Sequence, residues 1–165
     1  MLSDQATILS WMAEHSKLTG DRTTLAVMLA LADAGNDVAV PFGESCRYDL
    51  VVAYQDRLLR VQCKSGRLLN GVVEFATAST YGHHKSSTTT RRSYHGQIDA
   101  FAVYCRENGE VYLAPIADVD ARKLAHLRLQ PTLNGQARVV RFAADYTIAQ
   151  VSVVSDAAGP SCRLL

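Results

Sequence analysis

The sequence lacks the features that mark secreted, membrane-spanning or disordered chains. Proline occurs only four times in 165 residues, and 48% apolar against 20% charged residues exclude intrinsic disorder and supply one ordinary core. No apolar run approaches the roughly 20 residues of a membrane-spanning helix, so no membrane partner is expected. Cysteine is scarce: Cys46, Cys63, Cys105 and Cys162 form no CxxC pair and no regular framework. Closely spaced ligands for zinc are therefore missing, and free thiols, buried or partly so, are expected. The opening MLSDQATILSWMAEHSKLTG has an early acid and no basic stretch ahead of an apolar block, which argues against a secretory signal and for the cytoplasm.

Acidic residues are also unevenly absent. Residues 57–98 hold seven lysines and arginines and one acid, Glu74, a balance of +6; the rest of the chain, with ten bases and fifteen acids, stands at −5. The net charge of +1 hides this asymmetry. A concentrated basic segment is the electrostatic footprint of a phosphate-bearing partner, although a mixed solvated surface would look the same.

The apolar pattern predicts helices at about 6–16 and 21–34, the second closed by Gly35 and apolar nearly all round, as for a helix buried against a sheet. Strands are expected at 38–41, 48–54, 57–64, 71–78, 99–106 and 110–116. Tight turns at 55–56 and 107–109 join two pairs of these strands into hairpins. A further helix is expected at 117–127, and 139–154 reads equally as helix or strand. Helix, strands, then helix describe a layered α/β or α+β domain.

Three polar residues stand out against these strands. Along RVQCK, side chains two apart share a face, so Arg60, Gln62 and Lys64 lie on one side and Leu59, Val61 and Cys63 on the core side. A hairpin turning at 55–56 brings Lys64 back toward Asp49 at the start of the preceding strand. One carboxylate, one amide oxygen and one ammonium at a sheet end suit phosphodiester hydrolysis. A hard cation such as Mg²⁺ takes oxygen ligands and activates water, and a lysine positions that water or offsets developing charge. A hairpin with a polar exposed face satisfies the same pattern.

The segments PFGESCRYDLVV, RVQCKSG, GVVEF and YHGQIDAFAVYCRENGEVYLAPI stand in the order and spacing of the PD-(D/E)XK nuclease superfamily. The chain resembles its branch of group I intron-encoded homing endonucleases, over residues 17–120. The resemblance implies an α/β restriction-endonuclease-like core, a mixed β-sheet flanked by helices in an α-β-β-β-α-β order. A single domain spans 1–165, its core at about 17–127 and an extension at 128–165. Asp49 matches the metal-binding aspartate and Lys64 the catalytic lysine. Gln62 stands where most of the superfamily has a second acid, as in the intron-encoded branch. The helix pattern GDxxE survives as GDRTT, with Asp21 kept and Thr24 at the glutamate position. Asp49 and Gln62 are thus the expected metal ligands, with Asp21 and Glu44 as candidates for the missing charge; an ordinary helix N-terminal role for Asp21 and a turn role for Glu44 compete.

Residues 79–96, STYGHHKSSTTTRRSYHG, are expected to be a polar basic loop against DNA. Lys85, Arg91 and Arg92 would meet phosphates, together with Arg67, and Tyr94 or Tyr81 would stack on a base or sugar. His83, His84 and His95 have no ligand pair that would make them a zinc site. Asp99 is expected to pair with a hydrogen-bond or charge partner beside the active face.

The activity the resemblance implies is a Mg²⁺-dependent DNA endonuclease, with Mn²⁺ able to substitute. It attacks in line with a metal-associated water and leaves 5′-phosphates. Two active sites are needed to cut both strands, so a homodimer or higher oligomer is expected. A Holliday-junction resolvase and a DNA-binding protein that has lost catalysis on the same fold are the alternatives.

Overall fold

The computed structural model describes residues 3–43, 45–54, 56–82, 89–119, 123–130 and 140–148, with side chains described for these outside 3–15 and 80–91. The chain opens with one continuous helix, α1 (Ser3–Asp33), where two had been expected. Nothing interrupts it: no proline intervenes, space around Gly20 is open, and the Thr24 hydroxyl bonds the Gly20 carbonyl at 3.2 Å. Its apolar surface is not buried all round either. Thr23, Val27 and Leu31 face the sheet at four-residue spacing, while Leu25 and Leu29 remain 65% and 63% exposed.

Strands β1 (Asp37–Ala39), β2 (Leu50–Tyr54), β3 (Arg57–Leu69), β4 (Val72–Ala76), β7 (Ala100–Cys105), β8 (Glu110–Pro115) and β9 (Leu124–Arg128) make one mixed sheet. β3 organises it. Its first part pairs antiparallel with β2 (Leu50 opposite Val61, Tyr54 opposite Arg57), its middle runs parallel to β7 from Val61 to Gly66, and its end pairs with β4. This strand is five residues longer than expected at its C-terminal end, because SG does not stop it. Gly66 lets it pass: a Cβ there would come within 2.7 Å of Val73 and 2.9 Å of Val103. The turn into β4 is Asn70-Gly71, with φ of 49° and 74°, the combination a two-residue hairpin favours.

Two other expectations differ from the structure. Residues 79–96 include a hairpin, β5 (Ala78–Gly82) with β6 (Thr89–Ser93), instead of a loop throughout; threonine-rich segments suit extended pairing. The helix expected at 117–127 shrinks to α2 (Ile116–Val119), and LAHLR becomes β9. Its Ala125 and Leu127 are buried and alternate with less buried neighbours, and it pairs along the free edge of β4. Among the described residues, the crossover from β3 to β7 therefore carries β4, β5 and β6 and no helix.

The core lies on both faces of the sheet. Leu50, Val52, Leu59, Val61 and Cys63 pack with Val27 and Leu31 under α1. Val73, Phe75, Tyr94, Phe101 and Val103 fill the other face, where Ala143 and Tyr146 of a short 3-10 helix join them. Cys63 and Cys105 are buried free thiols and Cys46 is an exposed one; Cys162 lies outside the described residues. No described helix is long and apolar enough to cross a membrane.

Candidate active site

The site forms where β2 begins and β3 runs on past it. The β2–β3 ladder ends at Leu50 opposite Val61, so the Cys63 amide has no strand partner on that side. The Asp49 carboxylate supplies one: its Oδ2 accepts the Cys63 N–H at 2.8 Å and a second bond from the Gln62 side-chain amide, whose nitrogen also donates to the Cys63 carbonyl at 3.3 Å. Among the described residues, Asp49 Oδ1 and Gln62 Oε1 take no hydrogen bond. Both residues line a cavity of about 740 Å³ together with Lys64, Ser65, Asp21 and Thr24. The register thus brings together the acid, the amide and the lysine singled out by the sequence, and α1 forms the opposite wall.

Burial pushes the Asp49 carboxyl above the ordinary carboxylate range, against the opposing pull of the Cys63 N–H, the Lys64 charge and the Gln62 amide. Desolvation also drives the adjacent Cys63 thiol up to about 12, helped by the Asp49 charge, so this sulfur is not a nucleophile. A desolvated carboxylate with one open oxygen, beside an open amide oxygen, is a donor set for a hard divalent cation. Such an ion binds through one or two protein oxygens and keeps several waters. The protein charge here is low: among the described residues, no three acids, histidines or cysteines cluster as a metal site.

Asp21 is exposed and lines both this cavity and an adjoining one of about 580 Å³, and Asp49 also lines both. Of the groups considered for the missing charge, Asp21 therefore stands at the same cleft as Asp49, while Glu44 lies outside the described residues. Thr24 lines both cavities as well, and its hydroxyl donates to the Gly20 carbonyl at 3.2 Å.

The residues expected to meet DNA are spread over β3 and the hairpin. Arg67 is exposed on β3 opposite Glu74, and Arg92 is exposed on β6. Arg91 belongs to β6 opposite Thr80, its side chain outside the described set, and Lys85 lies outside the described residues. Tyr94 differs from the exposed stacking ring that was expected, being only 4% exposed. Its ring packs edge-on against Phe101 with centroids 5.5 Å apart, and the Arg47 guanidinium lies 4.2 Å from its centroid. This burial leaves no face for a base. Its hydroxyl instead accepts a hydrogen bond from Lys64 Nζ at 3.0 Å. Asp99 pairs as expected, holding Arg60 through both carboxylate oxygens.

Sequence reasoning passed over Arg47. This arginine donates to Gln97 Oε1 at 2.7 Å, Ser79 Oγ at 2.8 Å and the Ser93 carbonyl at 3.1 Å, so it ties the approach to Asp49 onto the β5–β6 hairpin. Its place two residues before Asp49 was visible, but its partners are 32 to 50 residues away in sequence.

The solved structure of a bacterial homing endonuclease, I-Ssp6803I, matches with a TM-score of 0.63 over 79% of this chain and 87% of that one, at 24% identity, and has the same fold. No curated protein matches. A family model described as PD-(D/E)XK endonuclease matches residues 14–149, a span that contains every strand and side chain of the cleft described above. The chain belongs to the PD-(D/E)XK endonuclease family.

Proposed function

We propose that the protein is a divalent-metal-dependent DNA endonuclease of the homing-endonuclease kind, with Asp49, Gln62 and Lys64 as its working residues. The observation that carries this reading is the meeting of an open carboxylate oxygen, an open amide oxygen and an ammonium at one cavity. Asp49 Oδ1 and Gln62 Oε1 would hold Mg²⁺ or Mn²⁺, with Asp21 adding charge from α1. Such an ion supplies Lewis acidity toward a phosphoryl oxygen and lowers the pKa of a bound water.

The chain's own residues do the rest. Lys64 donates one N–H to Tyr94 and keeps its other two for the cavity, where they offset the negative charge that builds on the phosphoryl oxygens as the P–O bond breaks. Asp49 is held in place by the Cys63 N–H, so its open oxygen is presented at a fixed position. Arg67, Arg92, Arg91 and Lys85 would bind the DNA backbone outside the cleft. One such cleft cuts one strand, so cleavage of both strands calls for two copies of the chain.

A second reading, a DNA-binding protein with weakened catalysis, is favoured by one observation: Thr24, at the position of the family's helix glutamate, lines the cavity without a charge and donates its hydroxyl to the Gly20 carbonyl. Nicking of supercoiled plasmid, linear duplex and four-way junction in Mg²⁺ or Mn²⁺ separates the readings. Wild type is expected to cut duplex, and Lys64→Ala to lose about 100-fold or more in rate. Preference for the junction would move the assignment to a resolvase. Binding that weakens steeply with salt, without any cutting, would establish the inactive binder.

A further inference from the structure

We infer that Tyr94 is a positioning residue for Lys64, and that Arg47 locks it, so that the basic hairpin and the lysine of the cleft move as one unit. The inference rests on the nuclease reading of Lys64. Tyr94 has a single polar atom, its hydroxyl, and a buried tyrosine hydroxyl needs a partner. Here that partner is Lys64 Nζ, at 3.0 Å. A phenylalanine would fill the same space against Phe101 equally well, so the oxygen is what the site gains from tyrosine.

The ring itself cannot swing. Phe101 meets it edge-on at an interplanar angle of 88°, and Phe101 sits opposite Gln62 in the β3–β7 ladder, which ties the tyrosine to the strand that carries the site. Arg47 covers the ring and spends its N–H groups on Gln97, Ser79 and the Ser93 and Arg92 carbonyls. Ser79 belongs to β5, Ser93 and Arg92 to β6, and Gln97 to the segment leading into β7. One guanidinium thus holds together both hairpin strands and the tyrosine. Lysine has a long flexible stem, and fixing one of its three N–H donors on an immobile oxygen limits where the other two can point.

The test compares Tyr94→Phe, Lys64→Ala and the double variant in single-turnover cleavage with Mn²⁺, alongside DNA affinity measured in Ca²⁺. Tyr94→Phe is expected to slow cleavage about 10-fold with DNA affinity changed less than about 2-fold, and to cost nothing further in the Lys64→Ala background. Arg47→Lys is expected to lower both cleavage and affinity, since it loses the contacts to the hairpin. An equal slowing by Tyr94→Phe with and without Lys64, or no slowing at all, would overturn the inference. A second measurement is independent of cleavage: the Lys64 ammonium signal in a lysine side-chain NMR spectrum, assigned by its disappearance in Lys64→Arg, is expected in wild type and broadened in Tyr94→Phe. If the wild type proves inert while this signal still follows Tyr94, the nuclease reading falls and the contact stands. A signal indifferent to Tyr94→Phe would overturn the positioning role whatever the activity.

Discussion

Two aspartates flank β3, and they are built alike. Asp49 immediately precedes β2 and Asp99 immediately precedes β7, and each uses Oδ2 to accept a β3 backbone N–H at the point where its own strand begins: Cys63 at 2.8 Å, Arg60 at 2.7 Å. They differ in what else they meet. Desolvation raises both, but at Asp99 the Arg60 side-chain and backbone bonds and the Arg60 charge outweigh it and hold the carboxyl below its ordinary range. Among the described residues no arginine pairs with Asp49; a backbone N–H, the Lys64 charge and a neutral amide leave burial the winner, and the carboxyl is held above its ordinary range. A carboxylate saturated by arginine has no oxygen left to offer, whereas one left short of positive charge and open on one oxygen has the chemistry the proposed cation site requires.

The largest effect that can break this comparison is on cleavage. Asp49→Asn is expected to reduce plasmid nicking by about 1000-fold or more, while Asp99→Asn, immediately before β7 and bound to Arg60, costs less than about 10-fold. Equal losses would mean that both carboxylates act only through the fold. Metal binding comes next: at an ion concentration ten times its dissociation constant, wild type is expected to gain about 1.4 kcal/mol in thermal or urea unfolding, and Asp49→Asn close to nothing.

Stability without metal should then change in opposite directions. Asp49 titrates higher in the folded chain than unfolded, so the fold loses stability as pH rises from the ordinary carboxylate range through the raised value. Asp99 titrates lower, so its contribution is present above the ordinary range and is lost as pH falls through the lowered value. In urea melts at pH 7, Asp49→Asn is therefore expected to be neutral or stabilising by up to about 1 kcal/mol. Asp99→Asn is expected to destabilise by about 1 kcal/mol, a charged hydrogen bond discounted for its partial exposure. The smallest effect tests the wall of the cleft. Asp21→Asn should raise the Mn²⁺ concentration needed for half-maximal cleavage by about 3-fold, and Thr24→Glu should lower it, as expected of adding or removing one charge near the metal.

Much of this site was legible before the fold was known. The period of two along RVQCK put Gln62 and Lys64 on one face, and the hairpin brought the start of the β2 segment back beside them. Asp99 was legible as a pairing residue, though not that its partner would be Arg60. Local reasoning failed where a distant partner decided the outcome. LAHLR is short and its alanine and leucines suit a helix, yet the free edge of β4 made it a strand. TTRRS reads as a polar loop until it pairs with ASTYG. Tyr94 looked like a stacking ring in a basic segment because nothing nearby in sequence announces Phe101 below it or Arg47 above it.

What the sequence by itself determined is the chemistry available: one acid, one amide and one lysine on adjoining strand ends, with threonine in place of a helix carboxylate. Alternation and turn placement follow from backbone geometry and need only near neighbours. Only the tertiary structure decided how each group is used, because desolvation and hydrogen-bond saturation depend on what packs around a side chain. The same residue type is saturated by an arginine at Asp99 and keeps one oxygen open at Asp49, and Tyr94, expected against DNA, is buried with its hydroxyl on Lys64.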